Sequence, residues 1–369
     1  MASTIGEEIF MALKVIQIGA GGWGQRWCQE FLPANVRDGL IEVAAAVDAD
    51  PANLTRARTF LGLREDQCYL SVEEALSKVK ADFCTVVVPP VVHEQVVDSA
   101  LAHDLHILSE KPIADTLLGS VRIADKVRRA GKKMAVTMSH RFDQDKTTLR
   151  EQLRSKRYGA LDYLICRFTC DTRLFATWGK FRHEIVDPLM VEGAVHHLDI
   201  LADLVGAKCD HIYAQTWNPP WGEYGGDSQG LVTMHFQNGV RAFYEGAKTN
   251  AVGLNGWTNE YIRAECREAT VILDRRHLEF FPYQADEKWA SKIHGQGVPL
   301  PLLEQGKWAN SWLIQKFVEW LKGGEPMETN VSDNLLSEAL IFAAIETART
   351  GQPVAVQEFL KNARDQVGN

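Results

Sequence analysis

Positive charge is in short supply in this chain, where 40 lysines and arginines stand against 48 aspartates and glutamates for a formal net charge of −8. Such a balance leaves no broad basic surface for a phosphate backbone or an anionic bilayer, so neither nucleic acid nor membrane is expected as a partner. Long apolar runs are also missing. No eighteen consecutive uncharged apolar residues occur, and the opening MASTIGEEIF is acidic where a signal peptide would be basic. A cytoplasmic protein is expected. The 7 cysteines are odd in number and form no C-x-x-C, which excludes a disulfide framework or a cysteine zinc site and predicts reduced, mostly buried thiols. Internal repeats and low-complexity segments are absent as well.

What remains is an ordinary globular composition, 46% hydrophobic and 24% charged, over 369 residues. That length exceeds what one core comfortably serves, so two domains are expected. Met11 directly precedes the first strand-like run, and residues 1–12 are expected to be a loose extension.

Two rhythms divide the rest. Up to about residue 138, LKVIQIG, IEVAAAVD, FCTVVV, HILSE and KMAVTM are near-continuous apolar runs of strand length, as strands covered on both faces require. Helices with proper starts lie between them: Asp50-Pro51 supplies a cap and a first-turn proline, and Ser71 with Glu74 reads as a capping box. The alternation predicts an α/β domain with a Rossmann-type, doubly wound parallel sheet over 1–138. Beyond it, LDYLICRFTC, HIYAQTW, GLVTMHF, VRAFYEGA, EYIRAEC and ATVILD alternate in polarity, with QNG as a hairpin turn. One helix is expected at about 189–205, and two more near ANSWLIQKFVEWLKGG and SDNLLSEALIFAAIETARTG close the chain. Residues 139–369 thus predict an α+β domain with a large open, mostly antiparallel sheet.

Directly after the first strand, Gly19, Gly21 and Gly24 stand in G-x-G-x-x-G spacing. The first glycine allows a tight turn, the second a close approach to pyrophosphate, and the third close packing of helix on strand. The whole turn, Gly19, Ala20, Gly21, Gly22, Trp23 and Gly24, is expected to line a dinucleotide. Asp48 ends the second strand and would accept bonds from ribose hydroxyls while repelling a 2′-phosphate, which favours NAD over NADP. A merely structural turn is the alternative.

Glu110 and Lys111 fall at the carboxyl end of a parallel strand, where such sheets bind ligands, although a surface ion pair is the plain alternative. Pro89 and Pro90 end the preceding strand and could shape a cofactor wall, with His93 following at a helix start. Glu192, His196 and Asp199 share one face of the 189–205 helix at i, i+4 and i+7, while His197 points away. A histidine between carboxylates can take the proton of a secondary alcohol while hydride leaves the carbon. A satisfied buried histidine, or an E-x-x-x-H metal pair without a convincing third ligand, are the competing readings. Upstream, Trp178, Lys180, Arg182 and His183 suit sugar recognition, through ring stacking and cationic contacts to oxygens or an anionic group. NPPWGEYGGDS reads as a lid or a connection.

The stretches IGAGGWG, VDAD, VVVPPVVHE, SEKP and MSHRFDQD fall in an order and spacing that resembles the glucose-fructose oxidoreductase, inositol dehydrogenase and MocA family of NAD(P)-dependent oxidoreductases. The likeness covers essentially the whole chain. It implies that Lys111 lies near the nicotinamide ribose and a substrate hydroxyl, that Pro89, Pro90, His93, Glu110 and Arg141 border the cofactor, and that His196 meets the substrate. The family pattern D-x-x-x-H-x-x-D has Glu192 in its first place here. It further implies pairing of subunits through the open sheet and a homo-oligomer. No metal is expected, because the E-x-x-x-H pair lacks a convincing third ligand. The expected activity is NAD-dependent oxidation of a ring secondary hydroxyl on a sugar, glycoside or cyclitol. In it His196 is the base, Lys111 positions the hydroxyl, Glu192 orients substrate or histidine, and Trp178, Arg182, His183 and Asp199 surround the substrate. A glycosidase working through transient C3 oxidation, elimination and re-reduction, and a non-catalytic NAD-binding regulator, are the rival readings.

Overall fold

The computed structural model describes residues 11–284 and 295–368. Of the expected extension, residues 1–10 lie outside these, and Met11 is exposed. The described chain forms two compact units. One gathers the chain up to Glu110 with Asp125–Thr137 and Asn310–Asn330; the other comprises Lys111–Ala124, Met138–Ala309 and Val331–Asn369. The units therefore interleave along the chain rather than meeting at a single cut after 138. The physical reason is visible in the helix Ala309–Leu321, whose buried Leu313, Ile314, Phe317 and Val318 complete the core of the first unit. Phe317 packs edge-on against Phe83 with ring centroids 5.4 Å apart.

In the first unit, strands β1 (Leu13–Ile18), β2 (Ile41–Val47), β3 (Cys68–Tyr69), β4 (Phe83–Val86), β5 (His106–Ser109) and β6 (Met134–Val136) form a parallel sheet in the order β3-β2-β1-β4-β5-β6. The order reverses between β1 and β4, the place where doubly wound sheets take their ligands. The runs read from the sequence coincide with five of these strands. The two-residue β3 carries no periodic signal and was not among them. Asp50 caps Pro51–Leu61 by accepting the Ala52 amide, and Ser71 accepts the Glu74 amide at 3.3 Å. The capping box is only half formed, because the Glu74 carboxylate turns to Lys78 instead.

The second unit carries β7 (Leu161–Thr169), β8 (Cys209–Trp217), β9 (Gln229–Phe236), β10 (Arg241–Ala247), β11 (Tyr261–Cys266), β12 (Ala269–Asp274), β13 (His277–Pro282), β14 (Val298–Leu300) and β15 (Val354–Ala355). They form one sheet in the order β14-β13-β12-β11-β7-β10-β9-β8-β15, antiparallel throughout except where β10 runs parallel to β7. In β9 buried and exposed residues alternate strictly, so one face is covered and the other open. The helix Val331–Thr350 packs on the covered face, where Thr347 Oγ1 accepts the Ala214 amide at 2.7 Å. Helices Gln144–Arg154 and Val356–Gly368 also belong here and have no counterpart in the sequence reading. All 7 cysteines are free and five are buried. No helix among the described residues is long and apolar enough to cross a membrane.

Candidate active site

The glycine-rich turn follows β1. Gly19 sits at φ +89°, and a Cβ there would overlap the Val87 carbonyl oxygen at the end of β4; one at Gly24 would overlap the Gly19 carbonyl. These glycines are dictated by close backbone approach. Gly22 adopts φ +50°, a conformation that favours glycine, with open space where a Cβ would stand. Asp48 braces this turn. Its Oδ2 accepts the Ala20 and Gly21 amides at 2.7 and 3.0 Å, and its Oδ1 accepts the Asp50 amide and Asn53 Nδ2 at 2.9 and 3.0 Å. A carboxylate accepts about four hydrogen bonds, so a ribose hydroxyl would have to replace one of these. The residues fit a dinucleotide, with Asp48 carrying a structural task in addition to the expected one.

Other residues expected around the cofactor have definite internal partners. His93 is fully buried, and its Nε2 bonds the Val88 carbonyl at 2.9 Å, which anchors the turn through Pro89 and Pro90. Glu110 accepts both the Trp23 and Trp27 indole N–H groups on one oxygen at 2.9 Å each. Arg141 belongs to the second unit. Its guanidinium grips Asp199 through two bonds of 2.7 and 2.8 Å and reaches Asp203 at 3.5 Å.

In the second unit, the helix read at 189–205 starts instead as a π-helical turn, Pro188–Ala194, and continues as α-helix over Val195–Val205, ending at Gly206 in the left-handed conformation. Glu192 lies in the widened turn, which aims its side chain differently from an ideal i, i+4 partner of His196. Three cations gather on it. Oε1 accepts Arg182 Nε at 2.9 Å and lies 3.8 Å from Lys111 Nζ, while Oε2 lies 3.5 Å from Lys248 Nζ. Lys111 also donates to the Glu192 backbone carbonyl at 2.8 Å. Burial alone would raise the Glu192 carboxyl, but Lys111, Lys248 and Arg182 outweigh it and hold the group far below the usual carboxylate range. Burial in turn lowers Lys248, which is only 1% exposed.

His196 is buried beside this cluster and stacks on His140, with ring centroids 4.2 Å apart. Burial, then the neighbouring His140, Lys111 and His197, depress it well below its ordinary value. It is therefore neutral at neutral pH and able to accept a proton. Its Nδ1 is enclosed and has no hydrogen-bond partner among the described residues. Behind it stands a charged network that no periodicity announces. Glu260 Oε1 faces His140 Nδ1 at 3.2 Å and His197 Nε2 at 3.5 Å, while its Oε2 lies 2.6 Å from Lys146 Nζ. Burial would raise Glu260, yet Lys146 and the two histidines keep it well below the usual range. His197, set off the catalytic face by helical geometry, is fully buried between Phe168, Tyr244 and Trp257, and its Nδ1 meets the Tyr244 hydroxyl at 3.0 Å.

Two expected substrate contacts turn out to be internal struts. Asp199 is buried, with both oxygens taken by Arg141 and one also by Ser337 at 2.6 Å. These bonds engage its carboxylate within the protein. His183 is equally buried; its Nδ1 meets the Glu223 carbonyl, its Nε2 the Thr177 carbonyl, and its ring stacks on Tyr224 at 4.1 Å. It ties the upstream loop together. Trp178 is half-exposed, its ring 6.2 Å from Trp257, and its carbonyl accepts Arg182 Nη1. Lys248, Trp257, His140 and Glu260 were not singled out from sequence. Lys248 and Glu260 flank strand ends, Trp257 lies in a loop and His140 in the short helical turn Ser139–Phe142, where only three-dimensional convergence marks them.

His140, His197 and Glu260 offer three ligand atoms within 4.8 Å of one another. Hydrogen bonds and the buried Lys146 already account for that grouping. A metal on Glu192 and His196 would meet Lys111, Arg182 and Lys248, which argues against the E-x-x-x-H reading.

Comparison with known proteins identifies the family and the fold. Residues 13–138 match the NAD-binding Rossmann fold of an oxidoreductase family, and residues 150–356 match the C-terminal alpha/beta domain of the same family. An uncharacterized protein, y4oX, of Sinorhizobium fredii is 53% identical over 96% of this chain and 98% of its own. An inositol 2-dehydrogenase of an Arthrobacter species is 28% identical over 94% of this chain and 96% of its own. The structure of an oxidoreductase from Agrobacterium radiobacter, complexed with NAD+, L-tartaric acid and magnesium, superimposes with a TM-score of 0.78 at 20% identity, covering 94% of this chain and 99% of that one. The chain belongs to the glucose-fructose oxidoreductase, inositol dehydrogenase and MocA family of oxidoreductases, as the NAD-binding turn and the two-part fold foretold.

Proposed function

We propose that this chain is an NAD-dependent oxidoreductase that oxidises a secondary hydroxyl on the ring of a sugar, glycoside or cyclitol. The observation that carries the reading is a neutral, buried His196 beside Lys111, whose ammonium is pinned by the Glu192 carbonyl and carboxylate. Oxidation of such an alcohol yields a ketone, one hydride and one proton. Bound NAD supplies the hydride acceptor. His196 receives the hydroxyl proton, since a base that is unprotonated at the working pH is what the step needs. Lys111 donates to the hydroxyl oxygen and supports its developing negative charge. Glu192 acts by holding Lys111, Arg182 and Lys248 in place rather than by exchanging protons itself. Trp178 and Trp257 present ring faces suited to the C–H face of a pyranose or cyclitol.

The glycine-rich turn would hold the pyrophosphate, and Asp48 favours NAD by repelling a 2′-phosphate. The likeness to an inositol 2-dehydrogenase along nearly the full chain supports a polyol substrate. The presence of both Lys111 and His196 speaks against a regulator that has lost its chemistry. A redox glycosidase would need a second proton donor, and Glu192, ionised by three cations, does not offer one. The open sheet face, with Leu231 and Phe243 exposed, suits pairing of subunits into a homo-oligomer.

The test is an anaerobic assay at 340 nm with purified protein, NAD and a panel of sugars, cyclitols and aryl glycosides, with product analysis of the same samples. Stoichiometric NADH with a ketone product is expected. Release of aglycone with little NADH would replace the dehydrogenase by the redox glycosidase.

A further inference from the structure

The cations around Glu192 outnumber what that residue needs. Arg182 and Lys248 both pair with a carboxylate that Lys111 also contacts. Arg182 and Lys248 alone leave one positive charge in excess of Glu192. Neither is saturated. Lys248 Nζ is enclosed and lies over the Tyr224 ring, 5.1 Å from its centroid, but its polar contacts, Glu192 Oε2 at 3.5 Å and the Pro188 carbonyl at 3.4 Å, are long for an ammonium. Arg182 spends Nε on Glu192 and Nη1 on the Trp178 carbonyl. Its Nη2 has no partner among the described residues. A buried ammonium bonded this loosely is costly unless another anion joins it. A neutral polyol would place only hydroxyl dipoles against that charge.

We propose that the substrate is an acidic polyol, a sugar or cyclitol bearing a carboxylate, and that Arg182 and Lys248 receive that carboxylate beside Glu192. This rests on the oxidoreductase reading above and names its substrate class. The carboxylate supplies the missing negative charge, so that two anions face three cations. Burial lowers Lys248 in the free protein, and an arriving anion opposes that shift. The ring hydroxyl to be oxidised then lies toward Lys111 and His196, and the acid group fixes which hydroxyl that is.

The experiment uses matched probes, glucose against glucuronate and glucitol against gluconate, with full-length protein and NAD. Binding of the same probes to the NADH-loaded protein is measured by titration calorimetry at low and high salt. We expect kcat/KM at least tenfold higher for the acidic member of a pair. We also expect calorimetric affinity that falls with salt, and an Arg182→Gln variant whose affinity for the acid drops at least about tenfold more than its affinity for the matched neutral probe. A Lys248→Met variant gives the same discrimination if Arg182→Gln fails to fold. Equal or better turnover of the neutral members overturns the acidic class and leaves the oxidoreductase standing. If no probe is turned over, the oxidoreductase reading is in question, and calorimetry still decides the anion site. Salt-dependent binding of glucuronate or gluconate that Arg182→Gln weakens supports it, and no such binding overturns it. Tighter binding of glucose 6-phosphate than of glucuronate overturns the assignment to a carboxylate.

Discussion

Replacing Glu260 with glutamine removes the charge at the centre of the buried network while keeping its shape. The amide oxygen can still face His140 and His197, but the amide N–H2 then points at Lys146, donor against donor, where an oxygen lay 2.6 Å from the ammonium. Lys146 is 1% exposed and cannot recover water. It retains Asp145 at 3.3 Å and Asp143 at 3.5 Å, which softens the loss. Breaking one partner of a buried pair costs about 3–5 kcal/mol. At about 2–4 °C per kcal/mol for a unit of this size, Tm should fall by roughly 6–20 °C. The assay is urea unfolding with a check that the slope is unchanged, supported by thermal scans. The double variant Lys146→Met, Glu260→Gln removes both charges and should be more stable than the sum of its single effects by about 2–3 kcal/mol. A Glu260→Gln protein within about 1 kcal/mol of wild type, or a double variant that merely adds the two losses, would refute the view that Lys146 and Glu260 neutralise each other behind the histidines.

Further outcomes follow from the same geometry. His196→Asn should lower kcat by about 10²- to 10⁴-fold while NAD affinity, followed by fluorescence titration, stays unchanged. Lys111→Ala should likewise retain NAD and lose turnover; loss of NAD binding would move Lys111 from the hydroxyl to the cofactor. Gly19→Ala should abolish NAD binding and lower Tm, because its Cβ would overlap the Val87 carbonyl at a φ of +89°. Glu338 is pushed up to about 8 by burial, against the bonds it accepts from the Ile113 amide and Ser120. A carboxyl raised in the folded state contributes stability that is full below about pH 4.3, its ordinary unfolded value, and lost as pH rises through about 8. Urea midpoints of wild type should therefore fall between pH 5.5 and 8.5 more than those of Glu338→Gln, and parallel curves would contradict the assignment. His196 works in the opposite sense. Its depressed value means stability present above about pH 6.5 and lost as pH falls below it.

The parallel sheet was legible because its longer strands are near-continuous apolar runs, and the glycine-rich turn because Gly19 and Gly24 answer to close backbone contacts and Gly21 to the Asn53 side chain. Alternation exposed the antiparallel strands for the same local reason. What escaped reading is non-local. Nothing in the helix Ala309–Leu321 says that its apolar stripe covers the parallel sheet, and the final helix Val356–Gly368 follows a two-residue strand with no break to announce it. Helical spacing placed Glu192, His196 and Asp199 on one face, but the π-helical turn shifted Glu192, and packing turned Asp199 toward Arg141 and Ser337. Lys248 and Glu260 reach the histidines and Glu192 only because β10 and the loop before β11 end side by side with β7 between them. Pairing of that kind has no signature in a single sequence.

The most direct test of the central claim is the fate of the carbinol hydrogen. With a substrate deuterated at that carbon, wild-type protein should produce NADH one mass unit heavier, with the label on the nicotinamide ring, and His196→Asn should form it far more slowly. Unlabelled NADH, or an undiminished rate in the His196 variant, would contradict the account.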